Sequence, residues 1–159
     1  MLLLLPPFFA CAVSAVATVI DLRQRRIPNW LTYPTTLIGL GFHAFVTHTL
    51  SAALVSGAFA AVVFFPMWWM KGIGGGDAKL ALALGCVLGS FEGTARFLLL
   101  TTVAGAFYAL LATAREGQLS HSWKRLVSKQ ARKDLAPITI AYAPAFLLGA
   151  LGFLAWQLA

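Results

Sequence analysis

Six stretches of the chain carry little or no charge and approach the length of a membrane crossing: about 2–20, 30–47, 50–70, 78–90, 97–113 and 138–158. A hydrocarbon core of about 30 Å asks for roughly 20 apolar residues per helix. In lipid the backbone must satisfy its own polar groups, which a helix does within one segment. The pattern therefore predicts an all-α membrane protein, a bundle of about six transmembrane helices forming a single domain over residues 1–159. The fourth stretch is short for a crossing and has the least defined limits. No internal repeat is visible.

Composition agrees with this picture. With 60% hydrophobic and 11% charged residues and a mean hydropathy of +0.82, the chain lacks the polar groups to cover a soluble globule. A net charge of +7 would elsewhere suggest nucleic acid. Here the basic residues occupy short connectors rather than one face, so nucleic acid is not an expected partner. Of the twelve Lys and Arg, only Arg96 falls on one side; Arg23, Arg25, Arg26, Lys71, Lys79, Arg115, Lys124, Arg125, Lys129, Arg132 and Lys133 fall on the other. That asymmetry places connectors 21–29, 71–77 and 114–137 in the cytoplasm and both termini on the outer, periplasmic side. Ala15-Val16-Ala17 resembles a cleavage site, but no basic region precedes the first run and three arginines follow it, as for a retained helix.

Several features carry architecture rather than chemistry. Cys11 and Cys86 lie inside apolar runs and read as small hydrophobes; no C-x-x-C pair exists, so neither a metal site nor a zinc-binding module is expected. Gly39, Gly41, Ser56, Ala60, Ala81, Gly85 and Gly89 suit close helix approach in lipid. Pro66, Pro137 and Pro144 can kink or end helices. In the 114–137 connector, Trp123, Leu126, Val127 and Leu135 interleave with Lys and Arg. This suits either an amphipathic helix on anionic lipid or a solvated basic loop.

The candidate chemistry lies in two of the five acidic residues. Asp21 ends the first run, and Asp77 opens the fourth behind Gly74-Gly75-Gly76. Acids at the edge of hydrocarbon are costly and are candidates for function by default. The inferred topology puts both at the same cytoplasmic depth, where packing can make them neighbours. Two adjacent carboxyls cannot both ionise cheaply, so they divide a proton between base and acid. Such a pair can activate a water and polarise a peptide carbonyl with no metal or cofactor. The three glycines would let a substrate backbone approach and let the loop adopt dihedrals closed to other residues. Equally, the motif could be an ordinary loop ended by a helix N-cap.

Asp21 followed by Ile27-Pro28-Asn29, and Gly74-Gly75-Gly76-Asp77 followed by Lys79-Leu80, resemble the two signature regions of the type IV prepilin peptidases, GxGD-type membrane aspartyl proteases. Ala141-Tyr142-Ala143-Pro144-Ala145-Phe146 is similar to that family's final helix, less specifically. The resemblance implies an aspartic endopeptidase with Asp21 and Asp77 as its catalytic pair. It implies prepilin-like substrates, whose leader is cut on the cytoplasmic side of the bacterial inner membrane, and pilus assembly machinery as a further partner beside membrane lipid. Many members carry a cysteine-rich zinc insertion for N-methylation. This sequence has no such cysteines, so N-methyltransferase activity is expected to be absent, as in the short forms that serve Flp or tight-adherence pili.

Around the pair, Asn29 could hold the Asp21 loop by hydrogen bonds or only cap the second helix. Lys79 could act on Asp77, meet an acidic substrate residue, or anchor the helix at the interface. Arg23, Arg25 and Arg26 read as orientation signals, since they would repel a basic leader. His43 and His48 lie toward the outer side and His121 in the basic loop, all away from the chemistry; Glu92 and Arg96 form an expected local pair. Rival readings are a small transporter or channel that uses the two aspartates for protons or a cation, and a non-catalytic pilus assembly factor.

Overall fold

A computed structural model describes residues 4–70, 73–115 and 142–158. Among these residues the chain forms six helices: α1 Leu5–Gln24, α2 Asn29–Phe45, α3 Leu50–Trp69, α4 Gly75–Leu88, α5 Phe91–Arg115 and α6 Ala143–Leu158. Three are long and apolar enough to cross a membrane: α1, α3 and the Phe91–Leu111 part of α5. Leu37, Phe45, Val62, Trp69 and Leu99 are more than 60% exposed, so large apolar side chains cover the outside of the described bundle. Lipid, not water, suits that surface.

The shortest helix is the central one. At about 1.5 Å per residue, the 14 residues of α4 span only about 21 Å. Yet from Leu80 to Leu88 all but Leu82 are buried, against α3, α2, α1 and α5. A helix shielded from lipid by its neighbours has no need to match the bilayer thickness. Small residues allow the enclosure. A Cβ at Gly85 would stand 2.7 Å from the Ser56 carbonyl oxygen and 3.0 Å from Ala60 Cβ, and one at Gly39 would stand 2.8 Å from Val87 N. Cys86 Sγ fills the space beside Gly57. Around this spine pack Phe64, Phe97 and Phe146, each fully buried.

Two glycines depart from the expected packing role. Gly41 faces open space. Gly89 adopts φ +61° as the left-handed C-cap of α4, with its N–H bonded to Gly85 O and the His43 ring against its Cα; its value is conformational. Several boundaries also move. α1 continues to Gln24, so Asp21 lies in its last turn rather than in a connector. α5 begins at Phe91, which places Arg96 within the helix, and its expected ion pair with Glu92 is formed. Pro66 does not end α3, and Pro144 occupies the first turn of α6, where a missing N–H costs nothing. The 114–137 connector is outside the described residues beyond Arg115, as are Lys71, His121 and Pro137.

Candidate active site

Both acids are held by the ends of helices. Asp77 is the third residue of α4, and its Oδ2 accepts the Gly74 N–H at 3.0 Å, the N-terminal capping interaction open to an acid at that position. Asp21 stands near the C-terminus of α1, where the helix dipole disfavours a negative charge. It is compensated by another helix: its Oδ2 accepts the N–H of Ala143, the first residue of α6, at 3.1 Å. Asp21 and Asp77 are 6% and 7% exposed, and each carboxylate lies within electrostatic reach of the other. The capping reading of Asp77 thus holds for one oxygen only, because Oδ1 is buried with no hydrogen-bond partner.

The Gly74-Gly75-Gly76 segment differs from the expected flexible loop. Gly74 has an ordinary extended conformation, φ −72° and ψ 151°, and Gly75 and Gly76 already belong to the first turn of α4. Their role is proximity rather than unusual dihedrals. A Cβ on Gly76 would stand 2.9 Å from Ile27 Cβ, so this glycine lets the 25–28 turn after α1 press on the start of α4. A Cβ on Gly75 would stand 3.1 Å from the Trp68 indole nitrogen, and one on Gly74 3.1 Å from Asp77 Oδ2. Gly74 and Gly75 remain exposed.

A cavity of about 830 Å³ opens over the pair. Asp21, Asp77, Gly74, Gly75, Gly76, Asn29 and Lys79 all line it, so the seven candidate site residues named from the sequence meet at one place. Arg25, Arg26 and Gln24 add polar groups from the end of α1, while Ala61, Phe65, Trp68 and Leu82 form an apolar wall from α3 and α4. Asn29 does not cap α2, whose N-cap is Pro28. Its Oδ1 accepts from Lys79 Nζ at 3.0 Å, and that ammonium lies 5.6 Å from the centre of the Tyr33 ring. Asn29 and Lys79 therefore tie the start of α2 to the start of α4. His43 is far from this site: it closes a separate network at the other end of α4.

The comparisons with known proteins fall on these residues. The family model described as the type IV leader peptidase family matches residues 8–110, which include both aspartates and the whole cavity lining. This chain belongs to the type IV leader peptidase family. Curated relatives include a prepilin leader peptidase/N-methyltransferase of Burkholderia pseudomallei, 36% identical over 119 residues, covering 70% of this chain and 38% of the relative. One of the same name from Xanthomonas campestris is 33% identical over 61% of this chain and 36% of the relative. A preflagellin peptidase of Methanocaldococcus jannaschii is 30% identical over 48% of this chain and 35% of the relative. The chain thus matches somewhat over a third of the length of these relatives. No solved structure matches it significantly.

Sequence reasoning did not find the α6 contribution to this candidate site. Thr18 is buried one turn before Asp21 and donates to the Ser14 and Ala143 carbonyl oxygens at 2.7 and 3.1 Å. Tyr142, whose ring packs against Phe64 and Phe146, fixes the entry to α6. The only sequence signal for this was the Ala141–Phe146 segment, which carries no acid or nucleophile.

Proposed function

We propose that this chain is an aspartic endopeptidase that removes the leader from prepilin-like precursors at the cytoplasmic face of the bacterial inner membrane, with Asp21 and Asp77 as the catalytic pair. One observation carries this reading: two buried carboxyls share a cavity, and one of their oxygens, Asp77 Oδ1, has no partner in the protein. A buried polar atom left unsatisfied costs on the order of 1–3 kcal/mol. Such a cost is tolerated where the atom is reserved for chemistry.

The two environments suggest distinct roles. Asp21, whose Oδ2 accepts the Ala143 N–H, takes the part of the base. Asp77 carries the shared proton on Oδ1. With a substrate strand against exposed Gly74 and Gly75, a water between the carboxyls loses a proton to Asp21 as its oxygen bonds to the scissile carbonyl carbon. Asp77 gives its proton to the carbonyl oxygen, forming a neutral gem-diol. Collapse breaks the C–N bond: Asp21 passes its proton to the leaving nitrogen, and a diol hydroxyl returns one to Asp77. The apolar wall of Phe65, Trp68 and Leu82 suits the hydrophobic segment that follows a leader. Six crossings with both termini periplasmic would put this end of α4 in the cytoplasm, in keeping with the basic connectors. The reading covers cleavage and not methyl transfer, which the Burkholderia and Xanthomonas names also carry.

Co-expression with candidate pilin precursors tests it, with leader removal followed by gel shift for wild type, Asp21→Asn and Asp77→Asn. Wild type is expected to cleave at least one precursor and both variants none. Cleavage persisting in both variants would remove the aspartyl mechanism. Ion flux in vesicles without cleavage of any precursor would favour a transporter instead.

A further inference from the structure

One residue of α6 is gripped from both sides by one face of α1. Ala143 is completely buried; its N–H donates to Asp21 Oδ2 at 3.1 Å, and its carbonyl oxygen accepts from Thr18 Oγ1 at 3.1 Å. Thr18 and Asp21 are three residues apart on α1 and so lie on one face of that helix. They span 125 and 122 positions of sequence to reach the same residue.

We propose that Thr18 is a positioning residue for the peptidase reaction, acting through Ala143 to fix the carboxylate of Asp21. The proposal rests on the functional reading above. A helix begins with N–H groups that have no partner within it. In α6 these are few: Pro144 has none, and Ala145 N–H bonds the Tyr142 carbonyl oxygen at 2.9 Å. The Ala143 N–H is left to Asp21. Its peptide plane is held by the Tyr142 carbonyl oxygen, which accepts the Ala145 N–H. Thr18 fixes the position of residue 143 itself, by bonding the carbonyl oxygen on the other side of its Cα, and so sets how far the N–H stands from the carboxylate. A Thr hydroxyl that bonded only the carbonyl four residues back would be an ordinary helix side chain. This one also reaches across to α6, and a bond between buried helices has no water to replace it. The Tyr142 ring is seated against Gly105, Phe64 and Phe146, which anchors the residue preceding Ala143. Asp21 is therefore aimed by α1 and α6 together.

The test uses Thr18→Val, which keeps the shape and removes the hydroxyl, and Thr18→Ser, which keeps the hydroxyl. The full chain is purified in detergent with a precursor that the wild type cleaves. Thr18→Val is expected to lower kcat about ten- to a hundredfold, the scale of a catalytic group displaced by a fraction of an ångström to one ångström. KM should be unchanged and Thr18→Ser should restore most of the rate. A second readout does not depend on cleavage. Tyrosine labelled at its carbonyl carbon and alanine labelled at nitrogen together select only the Tyr108–Ala109 and Tyr142–Ala143 amides, since Tyr33 precedes Pro34. The Ala143 amide should exchange faster with solvent in Thr18→Val than in wild type or Thr18→Ser, with Ala109 as internal reference. Wild-type kcat in Thr18→Val, or equal loss in the valine and serine variants, would overturn the proposal, as would an unchanged Ala143 amide. Cleavage retained by Asp21→Asn would instead remove the peptidase reading, leaving amide exchange to decide the grip by itself.

Discussion

Each end of α4 sets a buried polar side chain beside glycine, yet only one is left incomplete. At the C-terminal end, Gly89 turns the chain at φ +61° and His43 bonds on both ring nitrogens: Nε2 to the Val87 carbonyl oxygen at 2.9 Å, and Nδ1 to the hydroxyls of Thr47 and Thr49 at 3.0 Å each. At the N-terminal end, Asp77 accepts the Gly74 N–H with one oxygen and leaves the other buried without a partner beneath a cavity. The His43 end has the economy of a structural network, in which every buried polar atom is matched. The Asp77 end retains unused bonding capacity. Burial and polarity are common to both; what separates the Asp77 end is an unpartnered carboxylate oxygen beneath a cavity that a second acid also lines.

Substitutions at the two ends should therefore separate activity from stability. The largest effect is expected for Asp77→Asn and Asp21→Asn, each lowering cleavage by roughly 10²–10⁴-fold, the range for loss of a positioned acid or base. An asparagine at 77 can still accept the Gly74 N–H, so thermal unfolding in detergent should barely change; a large fall in Tm would make Asp77 a structural cap and blur the comparison. Next is Gly89→Ala, which meets both a left-handed backbone and the His43 ring. It should cost about 2–4 kcal/mol of stability with little change in kcat of the folded fraction. Gly76→Ala, in contrast, should lower kcat about tenfold or more, because its methyl group displaces Ile27 and the turn that positions Asp21. If Gly76→Ala altered Tm alone, the two ends would be equivalent.

Smaller effects sharpen the boundary of the site. Lys79→Met breaks the link to Asn29 and removes a cation from the cavity rim. It should raise KM roughly fivefold, corresponding to about 1 kcal/mol, with kcat nearly unchanged. The smallest is Glu92→Gln, which breaks an exposed ion pair with Arg96 and should change Tm and cleavage within error, as exposed pairs contribute about 0–1 kcal/mol.

Much of the candidate site was legible in the sequence because it is marked by residue types rare in this chain. Five acids in a chain of 159 leave few candidates, and only Asp21 and Asp77 stand beside membrane-length runs and motif residues. Asn29 and Lys79 were also legible as neighbours of the pair, although their mutual hydrogen bond was not. Of the two roles read into the glycines, unusual dihedrals do not hold for Gly74–Gly76, which permit close contact instead; among the described glycines the positive φ belongs to Gly89. Hydropathy could not tell a helix facing lipid from one enclosed by other helices, since both are apolar throughout. This is why α4 appeared as a short crossing and not as the centre of the bundle.

What the sequence determined by itself is the membrane character, the helical class and the identity of the two carboxyls, because hydropathy and the cost of charge in lipid act residue by residue. What only the tertiary structure decided is how each carboxyl is held. The acceptor on Asp21 meets an amide 122 positions away, and no local pattern encodes that meeting. It depends on α1 and α6 packing so that the first free N–H of one helix falls on an acid near the end of the other.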